Sequence, residues 1–176
     1  KPTLLMIQHP VTTEVNESFN QIKSTVDAID ELKIQTIALL PNNDAGHSKI
    51  INYLKDCGIN WYPSLPTEIF VNLYRNVNAI IGNSSSGIHE SPTMKIPAIN
   101  IGNRQRGREK ADNVIDVTHD KEEIIKSIKK AINSTDFNSK AKKISNPYGD
   151  GDSATKIVNI LKTISLDNVI NKQFID

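Results

Sequence analysis

The run Val77-Asn78-Ala79-Ile80-Ile81-Gly82 leads straight into Asn83-Ser84-Ser85-Ser86-Gly87-Ile88-His89-Glu90, and the fold turns on how this junction is read. A short apolar run suits a strand buried on both faces. The hydroxyl side chains and glycine after it suit the start of a helix. A helix N-terminus has unpaired N–H groups and the positive end of a dipole, so such a junction suits a phosphate. Glu90, three residues past Gly87, is expected on the first turn. There its carboxylate can accept hydrogen bonds from two adjacent hydroxyls, as on a ribose. Ser and Asn also serve as plain helix caps, so the junction alone reads equally well as an anion site and as a cap.

Working outward, strand-like and helix-like stretches alternate. Thr3 to Gln8, Thr36 to Leu40, Ile59 to Tyr62, Val77 to Ile81, Pro97 to Ile101 and Val114 to Val117 read as strands. Val15, Phe19, Ile22, Val26 and Ile29 recur at the spacing of one helix face. Lys49 to Cys57 reads as a helix stopped by a C′ glycine, Gly58. Pro66 suits a first helical position, with Ile69, Phe70, Leu73 and Tyr74 facing the sheet. Asp120 and Glu123 resemble a capping box opening a helix through Ile124, Ile125, Ile128 and Ile132. Asn133 to Gly151 is polar and reads as a connection, followed by helices over Asp152–Ile164 and Leu166–Phe174. This alternation predicts an α/β fold with a doubly wound parallel sheet, in which ligands bind beyond the carboxyl ends of the strands.

Composition narrows the function. The chain has 176 residues, the size of one domain. Its 21 basic and 20 acidic residues nearly cancel, so neither nucleic acid nor an anionic membrane is implied as a partner. No apolar run approaches the roughly 20 residues that span a bilayer, and no signal peptide is visible. The lone Cys57 has no partner for an internal disulfide and reads as filler, which favours a reducing, cytoplasmic setting. The absence of a metal-ligand cluster, a Walker motif or GxGxxG predicts no metal and no cofactor. His47 and His119 read as solvated loop residues. The chain opens at Lys1 rather than Met, as expected of a piece of a longer protein.

Gly82-Asn83-Ser84-Ser85-Ser86-Gly87, then Ile96-Pro97-Ala98-Ile99-Asn100-Ile101-Gly102-Asn103-Arg104-Gln105-Arg106-Gly107-Arg108, resemble the hydrolysing UDP-N-acetylglucosamine 2-epimerases. So do Gln8-His9-Pro10-Val11-Thr12, Pro41-Asn42-Asn43-Asp44-Ala45-Gly46 and Tyr148-Gly149-Asp150-Gly151-Asp152. The resemblance implies one Rossmann-like lobe of a GT-B type two-lobe enzyme, the C-terminal lobe over 1–176. Its last helices, about 152–174, would pack back toward the N-terminal lobe. The implied reaction converts UDP-N-acetylglucosamine and water to N-acetylmannosamine and UDP, through elimination of UDP and hydration of a glycal, for surface sugars of the sialic acid type. The family takes most acid–base carboxylates from the N-terminal lobe, so this chain alone is expected to bind UDP weakly and to catalyse nothing. A homo-oligomer is expected for the full-length protein.

Residue roles carry over position by position. The resemblance puts His9 at the active centre and Asn42 at the nucleotide-sugar site. It gives the diphosphate to Ser84, Ser85, Ser86 and the Gly87 turn, with Glu90 on the ribose. Arg104 would lie near the nucleotide, whereas Arg106 and Arg108 would hold the loop or meet a partner subunit. Tyr148 to Gly151 reads as a plain turn. Two other readings stay open: an epimerase acting on UDP-diacetylbacillosamine in the legionaminic acid pathway, and a nucleotide-sugar-binding module or half of a GT-B glycosyltransferase.

Overall fold

The computed structural model describes residues 1–165. Every strand expected from an apolar run is present, within a residue or two of its expected ends. β1 (Thr3–Ile7), β2 (Gln35–Leu39), β3 (Asn60–Tyr62), β4 (Ala79–Gly82), β5 (Ala98–Ile101) and β6 (Val114–Val117) form one six-stranded sheet in the order β3-β2-β1-β4-β5-β6. All its pairings are parallel. The chain winds outward from β1 in one direction and from β4 in the other, which is the doubly wound arrangement. The crevice at the reversal lies beyond the carboxyl ends of these two strands.

Alternation along β1 builds the core on both faces. Leu4 and Met6 turn to the face covered by α1 (Ser18–Leu32), α2 (His47–Asp56) and α6 (Lys121–Asn133), where Ile22, Val26, Ile50, Leu54, Ile124 and Ile128 are buried. Leu5 and Ile7 turn to the opposite face, against Tyr74 of α3 (Thr67–Asn76) and Ile80. A fully buried Leu or Ile contributes about 1.5–3 kcal/mol, so these two layers supply the main stabilisation. Among the described residues no helix is long and apolar enough to cross a membrane.

The structure departs from the sequence expectations at five elements. The helix face proposed from Val15 onward begins later: Thr12–Glu17 is a 3-10 turn, and Phe19 is exposed with its edge on Tyr53. The cause is Glu14, whose backbone leaves the helical region while its carboxylate accepts from Asn103 and Gln21. In α3 the proline is the cap rather than the first residue, and Ile69 faces solvent. The helix expected after Gly87 is two single turns, α4 (Ser86–His89) and α5 (Ser91–Met94). Pro92 has no N–H to continue the ladder, and the Ser91 hydroxyl donates to the Gly87 carbonyl instead, at 2.7 Å.

The polar connection contains a helix, α7 (Thr135–Lys143), capped by the Ser134 hydroxyl and anchored through Phe137 and Ala141. The capping box of α6 is half realised. Asp120 accepts from the Glu123 N–H, but Glu123 reaches past it to the Thr118 N–H and hydroxyl. α8 (Ser153–Thr163) matches the expected helix and leaves Ile157, Ile160 and Leu161 exposed. The expected helix over Leu166–Phe174 lies outside the described residues.

Candidate functional site

The register that pairs Ile7 with Gly82 brings the loops after β1 and β4 side by side at the crevice. One side chain joins them. Asn83 is 1% exposed, and its amide oxygen accepts from the His9 N–H at 2.7 Å while its amide nitrogen donates to the His9 carbonyl at 2.8 Å. The Asn83 N–H donates to Ile7 O. The parallel ladder is thus extended past the strand end by a side chain, and His9 stands at its tip.

The His9 ring is oriented from the β2 side, where the Asn42 N–H donates to Nδ1 at 3.0 Å. Nδ1 therefore carries a lone pair, and in the neutral ring the proton sits on Nε2. Burial, then the Arg104 charge, hold the His9 pKa below its ordinary 6.5 against weaker pulls from the Asn42 side chain and Asp44. At neutral pH His9 is thus an uncharged Nε2–H donor.

Arg104 reaches the same point from the loop after β5. Its guanidinium donates to the Asn83 carbonyl at 3.3 Å and lies 3.6 Å from Asp44, which itself accepts from the Asn42 amide. Gln105 donates to the same Asn83 carbonyl at 2.7 Å and is buried. An open cleft of about 380 Å³ lies beside these groups, between Pro10–Thr13, Asp44 and the Asn103–Arg106 loop. His9, Asn42 and Arg104, singled out separately in the sequence, thus meet at one place. Asn83 and Gln105, which hold them there, had no role assigned from sequence, since their partners are main-chain atoms that only the fold brings close.

In the serine turn, Ser86 N–H donates to the Ser84 hydroxyl and Gly87 N–H to the Ser84 carbonyl. The main-chain N–H groups of Ser84 and Ser85 meet no acceptor among the described residues. The Ser86 hydroxyl is buried without a partner. Tyr74 fixes the turn from below, its phenol donating to the Ser86 carbonyl at 2.7 Å, and burial pushes the phenol pKa up. Gly87 has an ordinary helical backbone, whereas Gly82 at the end of β4 has φ 130°. Glu90 sits at the joint of α4 and α5, exposed, its main chain bonded to Ser86 and Met94 and its carboxylate without a hydrogen-bond partner among the described residues.

Three sequence expectations near the site need correction. His47 is not a solvated loop residue: it opens α2, with Nδ1 on the Asp44 carbonyl. His119 is not solvated either, since both ring nitrogens are buried without partners against Gly102. The segment at Tyr148 is more than a plain turn. The Tyr148 ring lies 4.3 Å from that of His89, its hydroxyl donates to the Glu109 carbonyl, and Asn146 donates to the His89 carbonyl. Arg108 lies within 3.1 Å of His89 Nε2, so it holds the back of the serine turn.

Burial lowers the pKa of both His9 and His119, which fixes a pH dependence. In the unfolded chain these rings take up protons near 6.5, and in the folded chain only at lower pH. Their contribution to stability is complete above about 6.5 and declines as the pH falls through that value. Denaturation midpoints are expected to be lower at pH about 5.5 than at about 7.5, and the doubly substituted His9→Gln/His119→Gln chain to show a flatter profile. An unchanged slope in that variant would refute the assignment. Glu123 and Asp150, whose pKa values are lowered by hydrogen bonds, act in the same direction but below their ordinary 4.5 and 3.8.

Comparison with known proteins bears on the family and the fold. A family model described as UDP-N-acetylglucosamine 2-epimerase matches residues 1–162. A Legionella pneumophila protein named UDP-N,N'-diacetylbacillosamine 2-epimerase (hydrolyzing) is 34% identical, covering 98% of this chain and 46% of the relative. A Campylobacter jejuni protein named GDP/UDP-N,N'-diacetylbacillosamine 2-epimerase (hydrolyzing) is 33% identical, covering 100% of this chain and 47% of the relative. The structure of a UDP-GlcNAc 2-epimerase from Neisseria meningitidis bound to UDP-GlcNAc superimposes with a TM-score of 0.74 at 21% identity, over 93% of this chain and 45% of that one. The chain spans about half the length of the relatives it matches.

Proposed function

The chain belongs to the UDP-N-acetylglucosamine 2-epimerase family, and we propose that it is the UDP-binding, C-terminal lobe of a hydrolysing 2-epimerase. The observation that carries this reading is the convergence at the β1/β4 crevice of an anion cradle: the open N–H groups of Ser84 and Ser85, the Arg104 guanidinium and the Nε2–H of His9. A diphosphate is the ligand class that such donors suit, since Arg and main-chain N–H groups both form charge-assisted bonds to phosphate. Glu90 takes the ribose hydroxyls, and Asn42 lies toward the sugar.

In the full-length protein the C1–O bond to UDP breaks as the proton on C2 is removed, leaving a glycal. Water then adds at C1, and C2 regains a proton on the opposite face, giving the 2-epimer and UDP. His9 donates from Nε2 to the departing diphosphate, and Arg104 offsets its charge. The carboxylates that move the C2 proton belong to the other lobe, which the exposed apolar face of α8 would meet. This chain alone should therefore make no epimerised sugar. Calorimetric titration of the chain with UDP and with uridine tests the reading: UDP is expected to bind at least about tenfold more tightly. Equal affinities, or no binding of UDP, would overturn it.

The relatives at 34% and 33% identity are both named for diacetylbacillosamine, which favours that UDP-sugar as a second reading beside UDP-N-acetylglucosamine. Assay of the full-length protein with each, following UDP release, decides between them. Transfer of unepimerised sugar to an acceptor would point to a glycosyltransferase.

A further inference from the structure

Asn83 spends both ends of its side chain on the main chain of His9, a residue 74 positions away, and its carbonyl receives Gln105 and Arg104 from a third loop. His9 lies past the end of β1, where no strand neighbour pairs its N–H or its carbonyl, and Pro10 follows it. Without Asn83 those two partly buried main-chain groups would have no partner from the loop after β4. With it, the His9 main chain is as fixed as a strand residue, and the ring can meet the Asn42 N–H.

We propose that Asn83 is a positioning residue: it clamps the His9 main chain so that Nδ1 faces the Asn42 N–H and Nε2–H faces the crevice, and it ties Arg104 to the same frame. It touches no reacting atom and acts through His9 and Arg104. Arg104 and Asp44 are the charged groups facing the ring, and both are anchored to the frame that Asn83 organises. A hydrophobic residue of similar size would leave the partly buried His9 N–H and carbonyl without these partners, a loss comparable to breaking a structural hydrogen bond on each side.

The test is nuclear magnetic resonance on the 176-residue chain, with the His9 imidazole nitrogens and carbons followed through a pH titration. The unmodified chain should show the Nε2–H tautomer and protonation below 6.5. In Asn83→Ala the tautomers should mix and protonation should move toward the ordinary value. Asn113→Ala is the control. Asn113 is equally buried and bonds Ser91 and the Ile96 carbonyl, so it should cost stability and leave the His9 titration in place. A folded Asn83→Ala chain with an unchanged His9 titration would overturn the proposal.

Amide exchange of the unmodified chain keeps the test sharp if Asn83→Ala does not fold. The His9 N–H should exchange as slowly as those of β1, although it lies outside the strand, and fast exchange would overturn the clamp. The effect on nucleotide rests on the reading in the preceding subsection. Asn83→Ala should weaken UDP binding by about tenfold. An altered His9 titration in a chain that never bound UDP would uphold the clamp and defeat the UDP reading, so the two fail separately.

Discussion

Replacing Gly82 with alanine is expected to destabilise the chain by about 3–5 kcal/mol, since left-handed strain and forced repacking add. A Cβ at this position would lie 2.6 Å from the Ile7 carbonyl carbon, nearer still to its oxygen, and 3.2 Å from the Gln8 nitrogen. All three are main chain of the adjacent strand, so no side chain can swing aside. The backbone there has φ 130°, which a β-carbon disfavours in any case. Relief requires β1 and β4 to part at their carboxyl ends, which also breaks the Asn83 bonds to Ile7 and His9. A domain holds only about 5–15 kcal/mol in all, so the melting temperature should fall by about 10 °C.

Gly87→Ala supplies the contrast. Its Cβ would meet only Ile80 Cγ2 at 3.8 Å and Ala98 Cβ at 3.9 Å, in a helical backbone, so stability should hold or rise slightly. A Gly82→Ala chain within about 1 kcal/mol of the parent would refute the argument, because strain and overpacking each cost that much or more.

The same contrast explains what could be read from the sequence. All six strands were legible because parallel strands buried on both faces are continuous apolar runs, and Leu4-Leu5-Met6-Ile7 serves both layers at once. The loops that carry His9, Asn42, the serines and Arg104 were legible as the segments following those runs. α7 was not, because only Phe137 and Ala141 of its nine residues reach the core, too few to set a period. The split of α4 from α5 was written in Pro92 but outweighed by the helical look of the stretch. Asn83, Gln105 and Tyr148 were illegible for another reason. Their partners are main-chain atoms 74, 22 and 39 positions away, and only the fold brings a carbonyl or an N–H to such a side chain.

Glu90→Ala is expected to weaken UDP binding by roughly ten- to hundredfold, the equivalent of losing charge-assisted hydrogen bonds worth about 1.5–3 kcal/mol. The opposing view makes Glu90 a first-turn residue that stabilises a helix through its dipole. The structure weakens that view, since Glu90 closes α4 and opens α5, and the dipole ends of the two turns act on it in opposite senses. Its carboxylate has no partner of its own to lose among the described residues, so melting should change little. The ribose supplies a second arm. UDP lacking the 2′-hydroxyl should already bind less tightly to the parent chain, and Glu90→Ala should then subtract less from it than from UDP, the coupling expected of groups in contact. Glu90→Gln keeps one acceptor oxygen without the charge and should fall between the two. Unchanged affinity together with a lower melting temperature would make Glu90 a structural residue and leave the ribose to other groups in the crevice.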